Sequence, residues 1–473
     1  MRADEYTGLS ALQIAAAVNS RELSAVEVAE VALAVAEQRD QYGAFTCLAP
    51  ERAMADARRT DQRVAAGERL PLAGVPNPIK DLNPVEGLPW QAGSAAMRGM
   101  VGPADDPIVG WFAEAGTTML GKTATPEFGL PCYTEPDGRP PTVTPWDVTR
   151  SAGGSSGGAA AAVAAGIAPI AHASDGGGSI RIPASACGLV GLKVSRGLIS
   201  PGARPPGPGL GTEGVVSRTV RDTALALDVL AGARPGDTYW APLAPGGYLA
   251  ACERAPERLR VGLLTTPVIA ADAEVHAACL DAAARAALLL EGLGHEVSEA
   301  PVAFAAERWE AFRSVWAVGA LGIPLPAEAE PALTPLTRWL RERGRSATGL
   351  EYAGAMAAIQ VLTREVAQTW ADFDVIVSPT LAQPPAPVGS LRDDADPSAD
   401  FEAQMRFTPW TSVFNLTGRP AISLPLHNAR IDGADSPVLP IGVMLGAPFG
   451  ADDVLLGLSA ALESVAPWER PGR

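Results

Sequence analysis

Two serines sit 24 residues apart (179 − 155), each in a glycine-rich turn: Ser155 in GGSSGG at 153 to 158 and Ser179 in DGGGS at 175 to 179. A serine hydroxyl becomes a nucleophile when a neighbour takes its proton, and histidine is the usual acceptor. The four histidines here read as structural: His172 inside a strand, His276 in an Ala-rich helix, His295 in a Gly-Leu-Gly-His turn, and His427 just after a strand-like run. Lys80 in the apolar, proline-flanked GVPNPIKDL is the better base. Burying an amine disfavours its charged form and lowers its pKa by up to a few units, so a desolvated Lys80 can accept a proton. The alternative is a surface lysine paired with Asp81.

The elements between the serines explain how they could meet. Ala159 to Ala165 is a helix-forming run without a charge, stable only if buried, and a solvated linker would continue as polar sequence. Twenty-four residues suffice for a turn, a helix of about three turns and a returning strand, which brings the second turn beside the first. Neither turn supplies the GxxxxGK[ST] of a phosphate-binding loop. GLGTEG at 209 to 214 matches GxGxxG by letters, but it follows a proline-rich stretch where a dinucleotide site needs a strand.

PIKDL at 78 to 82, GGSSGG, DGGGSIRIPAS at 175 to 185 and GLVGLK at 188 to 193 together resemble the amidase signature family. GVVSRTVRD at 214 to 222, DVIVSPT at 374 to 380, FNLTGRPAISLP at 414 to 425 and PIGVML at 440 to 445 resemble its later blocks, so the resemblance covers nearly the whole chain. It implies an α/β fold of one large domain over 1–473, a mixed β-sheet covered on both faces by helices. It also implies a Ser-Ser-Lys triad in which Ser179 attacks, Ser155 relays the proton and Lys80 is the terminal base, with a cis peptide between Gly154 and Ser155. Gly176, Gly177 and Gly178 are expected to form the oxyanion hole, because residues without Cβ let successive N–H groups converge. Asp175 is expected to hold the turn. Arg181 either ties the turn down by hydrogen bonds or forms a surface ion pair. Ser156 supports Ser155 or Lys80, or caps its turn. EFGLPCYTEPDG at 127 to 138 resembles a loop lining the substrate cleft, which makes Gly129 and Leu130 pocket-edge candidates. Val194, Leu198 and Thr144 depart from the family pattern without touching the triad.

The implied activity is hydrolysis of carbon-nitrogen acyl bonds in small, largely uncharged amides, and of carbamates in a urethanase reading, with no cofactor and no metal. Two alternatives remain open: the amidase subunit of a tRNA-dependent amidotransferase, and a catalytically silent binding protein on the same fold. A homodimer is an expectation of the resemblance alone.

Composition fits such an enzyme. Hydrophobic residues make up 47% of 473, enough for a sizeable core, and no apolar run reaches the ~20 residues of a membrane helix. The opening MRADEYTGLS has no apolar signal region, which points to the cytoplasm. A net charge of −16 disfavours nucleic acid and anionic membranes as partners. Five cysteines without a C-x-x-C pair read as reduced thiols rather than a disulfide frame or zinc site. Ser10 with Gln13 and Ser24 with Glu27 read as capping boxes opening N-terminal helices within about 9–65 that pack on the domain. Short apolar runs then alternate with helical stretches, as in a helix-covered sheet. The Pro/Gly-rich segments 200–210 and 381–400 read as long loops, either pocket wall or plain surface.

Overall fold

The apolar runs of the chain become the strands of an eight-stranded mixed sheet. Its order is Glu296–Glu299, Arg260–Leu263, Val375–Pro379, Val438–Gly446, Ala421–Arg430, Val190–Lys193, Thr212–Ser217 and Ile170–Asp175. The first two neighbour pairs are parallel and the other five antiparallel. The structure is a computed structural model and describes residues 1–202, 207–431 and 433–471.

Side chains alternate across a strand, so a sheet buried on both faces must feed two cores. Val375, Val377, Ile422, Leu424, Val443 and Leu445 join one hydrophobic cluster, while Ile376, Ala421 and Met444 between them join another. Helices Ala277–Gly292 and Asp452–Val465 contribute to the first cluster, as do the N-terminal helices. Helices Glu310–Leu321, Pro335–Ser346, Gly349–Thr369 and Thr411–Thr417 cover the second face.

Ser10/Gln13 and Ser24/Glu27 form the capping boxes of helices Ala11–Asn19 and Ala25–Gln38. A further short helix, Ala3–Gly8, precedes them, and strand Phe45–Leu48 leads into helix Pro50–Ala65. That strand pairs with Gly121–Thr123, which runs parallel to Ile79–Lys80. This small sheet holds the Lys80 backbone at the edge of the main core. The uncharged alanine run forms helix Gly157–Ala164, buried along its whole length.

Two details differ from the sequence reading. His276 does not lie within the Ala-rich helix but caps it, its Nδ1 accepting from the Ala278 N–H at 3.1 Å. The segment 381–400 is loop only as far as Asp396, whose carboxylate caps helix Pro397–Phe407.

Candidate active site

Lys80 is buried, and its Nζ lies 2.8 Å from Ser155 Oγ, 2.8 Å from Ser156 Oγ and 3.1 Å from Ser174 Oγ. It is therefore not the surface partner of Asp81. Asp81 pairs with the buried Lys122 at 2.6 Å instead. The Lys80 N–H donates to His172 Nδ1 at 3.3 Å, which leaves the His172 Nε2–H to donate to Glu213 Oε2 at 2.9 Å. His172 thus ties the lysine strand to the sheet strand Thr212–Ser217. Ser156 Oγ donates to the Ser174 carbonyl at 3.2 Å, so it supports both Lys80 and the second turn.

The peptide between Gly154 and Ser155 is cis. The Ser156 N–H donates to the Ser179 carbonyl at 3.3 Å, which couples the two serine turns through backbone. Among the described residues no hydrogen bond joins the two serine hydroxyls directly, yet both line one cavity. Catalytic contacts of this kind commonly tighten only when substrate binds.

Asp175 and Arg181 are buried at 0% side-chain exposure and pair in a fork, Nε to Oδ2 and Nη2 to Oδ1, each at 3.0 Å. Arg181 also donates to the Thr411 carbonyl at 2.7 Å and to Asn415 Oδ1 at 2.7 Å, so the surface ion pair is ruled out. Asn415 Nδ2 returns a bond to Asp175 Oδ1 at 2.8 Å. Burial would raise the Asp175 pKa, but Arg181, Asn415 and Lys193 together hold it down at about 2. The carboxylate accepts from the N–H groups of Gly178 at 2.8 Å and Ile180 at 3.1 Å, fixing the turn from inside.

That last contact bears on the expected oxyanion hole of Gly176, Gly177 and Gly178. The Gly178 N–H is committed to the Asp175 carboxylate, whereas the N–H groups of Gly176, Gly177 and Ser179 have no protein acceptor among the described hydrogen bonds. Gly178 has a different requirement: its φ is +141°, and a Cβ there would lie 2.6 Å from Ile182 Cδ1. Thr411 Oγ1 donates to the Gly177 carbonyl at 2.7 Å, which fixes the orientation of that peptide.

Two cavities meet at Ser179. The larger, about 370 Å³, is lined by Ser155, Ser174, Gly176, Arg196, Glu213 and Tyr239 among others. The smaller, about 60 Å³, is bounded by Gly177, Ile269, Trp309, Phe312, Phe401 and Met405. Gly129 and Leu130 line the larger cavity, with the Cβ direction of Gly129 3.2 Å from Ser155 Oγ. Glu127 anchors this loop, accepting from Ser94 Oγ at 2.6 Å and the Thr334 N–H at 2.8 Å. Pro201 and residues 207–210 of the Pro/Gly-rich segment line the large cavity, and its residues 203–206 lie outside the described residues. Residues 381–396 line neither cavity, and nor do Val194, Leu198 and Thr144.

The structure adds residues that sequence reasoning passed over. Ser174, next to Asp175 in the motif, reaches Lys80, and its place beside DGGGS was the available signal. Glu213, Arg196 and the aromatic wall of Trp309, Phe312 and Trp316 carried no local signal. Arg196 donates from Nε to the Gly209 carbonyl at 2.6 Å and from Nη2 to the carbonyls of Asn415 at 2.8 Å and Leu416 at 2.9 Å, so it braces the cavity wall.

A model of the amidase family matches residues 27–456. The chain is 36% identical over 436 residues to the 6-aminohexanoate-cyclic-dimer hydrolase of Paenarthrobacter ureafaciens, covering 87% of this chain and 86% of that one. A solved structure of a 6-aminohexanoate cyclic dimer hydrolase superposes with a TM-score of 0.89 at 33% identity over 98% of both chains. A bacterial aryl acylamidase of the amidase signature family superposes at 0.85 with 28% identity, over 98% of this chain and 99% of that one. With the family model spanning most of its length and relatives this similar across it, the chain belongs to the amidase signature family, enzymes that act on amide carbon-nitrogen bonds.

Proposed function

We propose that residues 1–473 act as one catalytic domain that hydrolyses small, largely uncharged amides through an acyl-enzyme on Ser179. The observation that carries this reading is the 2.8 Å contact from Lys80 Nζ to Ser155 Oγ, with Ser155 and Ser179 on the wall of one cavity. Neutral Lys80 takes the Ser155 proton as Ser155 takes that of Ser179, and Ser179 Oγ bonds to the carbonyl carbon. The oxyanion is received by the N–H groups of Gly176, Gly177 and Ser179, each such donor contributing about 3 to 4 kcal/mol to the transition state. The proton returns through Ser155 to the nitrogen, the C–N bond breaks and the amine departs. Water then enters and gives a proton to Ser155 as its oxygen bonds to the acyl carbon; the C–Oγ bond breaks, Ser155 returns the proton to Ser179 Oγ, and the acid leaves. Ser156 and Ser174 hold the Lys80 amine in line, while Asp175 and Arg181 hold the turn.

Relatives named for cyclic-dimer hydrolysis and aryl acylamidase activity support amides as the substrate class. A carbamate carbonyl meets the same nucleophile, so urethane cleavage belongs to the same proposal. We place the protein in the cytoplasm, where its five free cysteines stay reduced, and carry the homodimer forward from the family resemblance.

Release of nitroaniline from matched aryl amides and aryl carbamates by the isolated protein, with Ser179→Ala as control, tests this. Turnover lost in the variant supports the serine hydrolase, and the amide-to-carbamate ratio ranks the two bonds. A folded wild type that turns over neither would favour the amidotransferase subunit or the silent binding protein.

A further inference from the structure

We infer that the substrate straddles Ser179 with its acyl group in the small aromatic pocket and its leaving amine in the large cavity. The enzyme would then select short, apolar acyl groups and accept bulky amines. This rests on the amide-hydrolase reading above.

The two cavities share Ser179, Leu130 and Trp316, but Ser155 lines only the large one. That asymmetry orients the substrate. The proton that Ser155 takes from Ser179 must be delivered to the nitrogen as the C–N bond breaks, otherwise an amide anion would have to leave. Delivery needs a heavy-atom approach of about 2.6 to 3.2 Å, so the nitrogen faces Ser155 and its substituent continues into the large cavity. The tetrahedral carbon has three further substituents: Ser179 Oγ, the oxyanion at the N–H groups of Gly176, Gly177 and Ser179, and the acyl chain. The small pocket, bounded by Gly177 and Ser179, is the remaining direction.

Its size and stiffness set the limit on that chain. The small pocket offers about 60 Å³ against about 370 Å³ for the large cavity, roughly a sixfold difference, so the acyl side is the confined one. The wall cannot easily retreat. Trp309 stacks on Phe312 with ring centroids 4.8 Å apart, and Phe312 on Trp316 at 5.2 Å, while Trp309 Nε1 donates to Ser412 Oγ at 2.8 Å. The stack also abuts the oxyanion loop, since Cβ atoms at Gly176 and Gly177 would lie 3.3 Å from Trp316 and Phe312.

The test measures kcat/KM for 4-nitroanilides of straight-chain acids from two to ten carbons, and for acetamides of increasingly bulky aryl amines. The wild type is expected to gain about fourfold per methylene up to four or five carbons, the effect of burying each group, and to fall at least tenfold by eight. Met405 lines only the small pocket. Met405→Ala should therefore move the fall to longer acids, and Met405→Trp should confine the enzyme to acetyl, neither changing the ranking of amines. Ile323 lines only the large cavity, so Ile323→Trp should penalise bulky amines alone. A wild type that prefers eight-carbon to four-carbon anilides, or an Ile323→Trp variant that loses long acids while keeping bulky amines, overturns the assignment. Absence of turnover on every anilide would strike at the amide-hydrolase reading instead.

Discussion

Replacing Arg181 with methionine should destabilise the protein by about 3 to 5 kcal/mol at neutral pH, the cost of stranding one member of a buried ion pair. Asp175 and Arg181 are both at 0% side-chain exposure, so no solvent screening softens the loss. The Thr411 carbonyl and Asn415 Oδ1 lose their donors in the same step. With an unfolding entropy near 2.1 cal/mol/K per residue, a chain of 473 residues loses roughly 1 °C of Tm per kcal/mol, or about 3 to 5 °C. The pH dependence makes the argument specific. Asp175 has a folded pKa of about 2, lowered from 3.8 despite burial, so its contribution is fully present above pH 3.8 and is lost as pH falls through 2. That contribution is about 2 kcal/mol. Without Arg181 its principal stabilising charge is gone, burial pushes the carboxyl pKa upward, and protonation in mild acid relieves part of the deficit. Urea unfolding of wild type and Arg181→Met at pH 7 and pH 4 should therefore show a gap that narrows at pH 4. Equal gaps at the two pH values, or no gap at pH 7, would refute the assignment of Asp175 and Arg181 as a coupled brace.

Gly178→Ala should cost more than about 1 kcal/mol and abolish most turnover, because φ of +141° disfavours a side chain and the new Cβ would lie 2.6 Å from Ile182 Cδ1; thermal unfolding and nitroanilide assays check both. His172→Phe removes the acceptor for the Lys80 N–H and the donor to Glu213, and displacement of Lys80 should lower kcat on the order of 10- to 100-fold with KM within about twofold, read from steady-state kinetics. Glu463, with its pKa raised to about 7 by burial and then by Asp222, binds a proton more tightly folded than unfolded, so its penalty appears as pH rises from 4.5 through 7. Glu463→Gln should thus raise Tm at pH 8 and leave it unchanged at pH 4, as measured by calorimetry.

How much of this could be read in the chain depended on whether the signal was local. Ser155 and Ser179 were legible because glycine, needed for close approach and positive φ, marks both turns, and the uncharged alanine run between them demands burial. Lys80 was legible from its apolar neighbours, but its choice of partner was not. Asp81 looks like its ion pair in sequence, and only the parallel register of Ile79–Lys80 with Gly121–Thr123 brings Lys122 to Asp81 instead. Which N–H groups of the glycine run are left without a protein acceptor was not legible, because that depends on a side-chain oxygen of Asp175. Trp309, Phe312 and Trp316 recur at helical spacing and look like any core stripe. Their role follows from a helix more than a hundred residues past Ser179 docking against Gly176 and Gly177.

The central claim is that Ser179 carries the acyl group. Rapid acid quench after mixing with a nitrophenyl ester of a short acid, followed by mass spectrometry of the proteolytic peptides, tests it directly. We expect the mass of the acyl group on the peptide containing residue 179, with a matching burst of nitrophenol, and neither in Ser179→Ala. Acylation at another residue, or continued turnover by Ser179→Ala at the wild-type rate, would contradict the account.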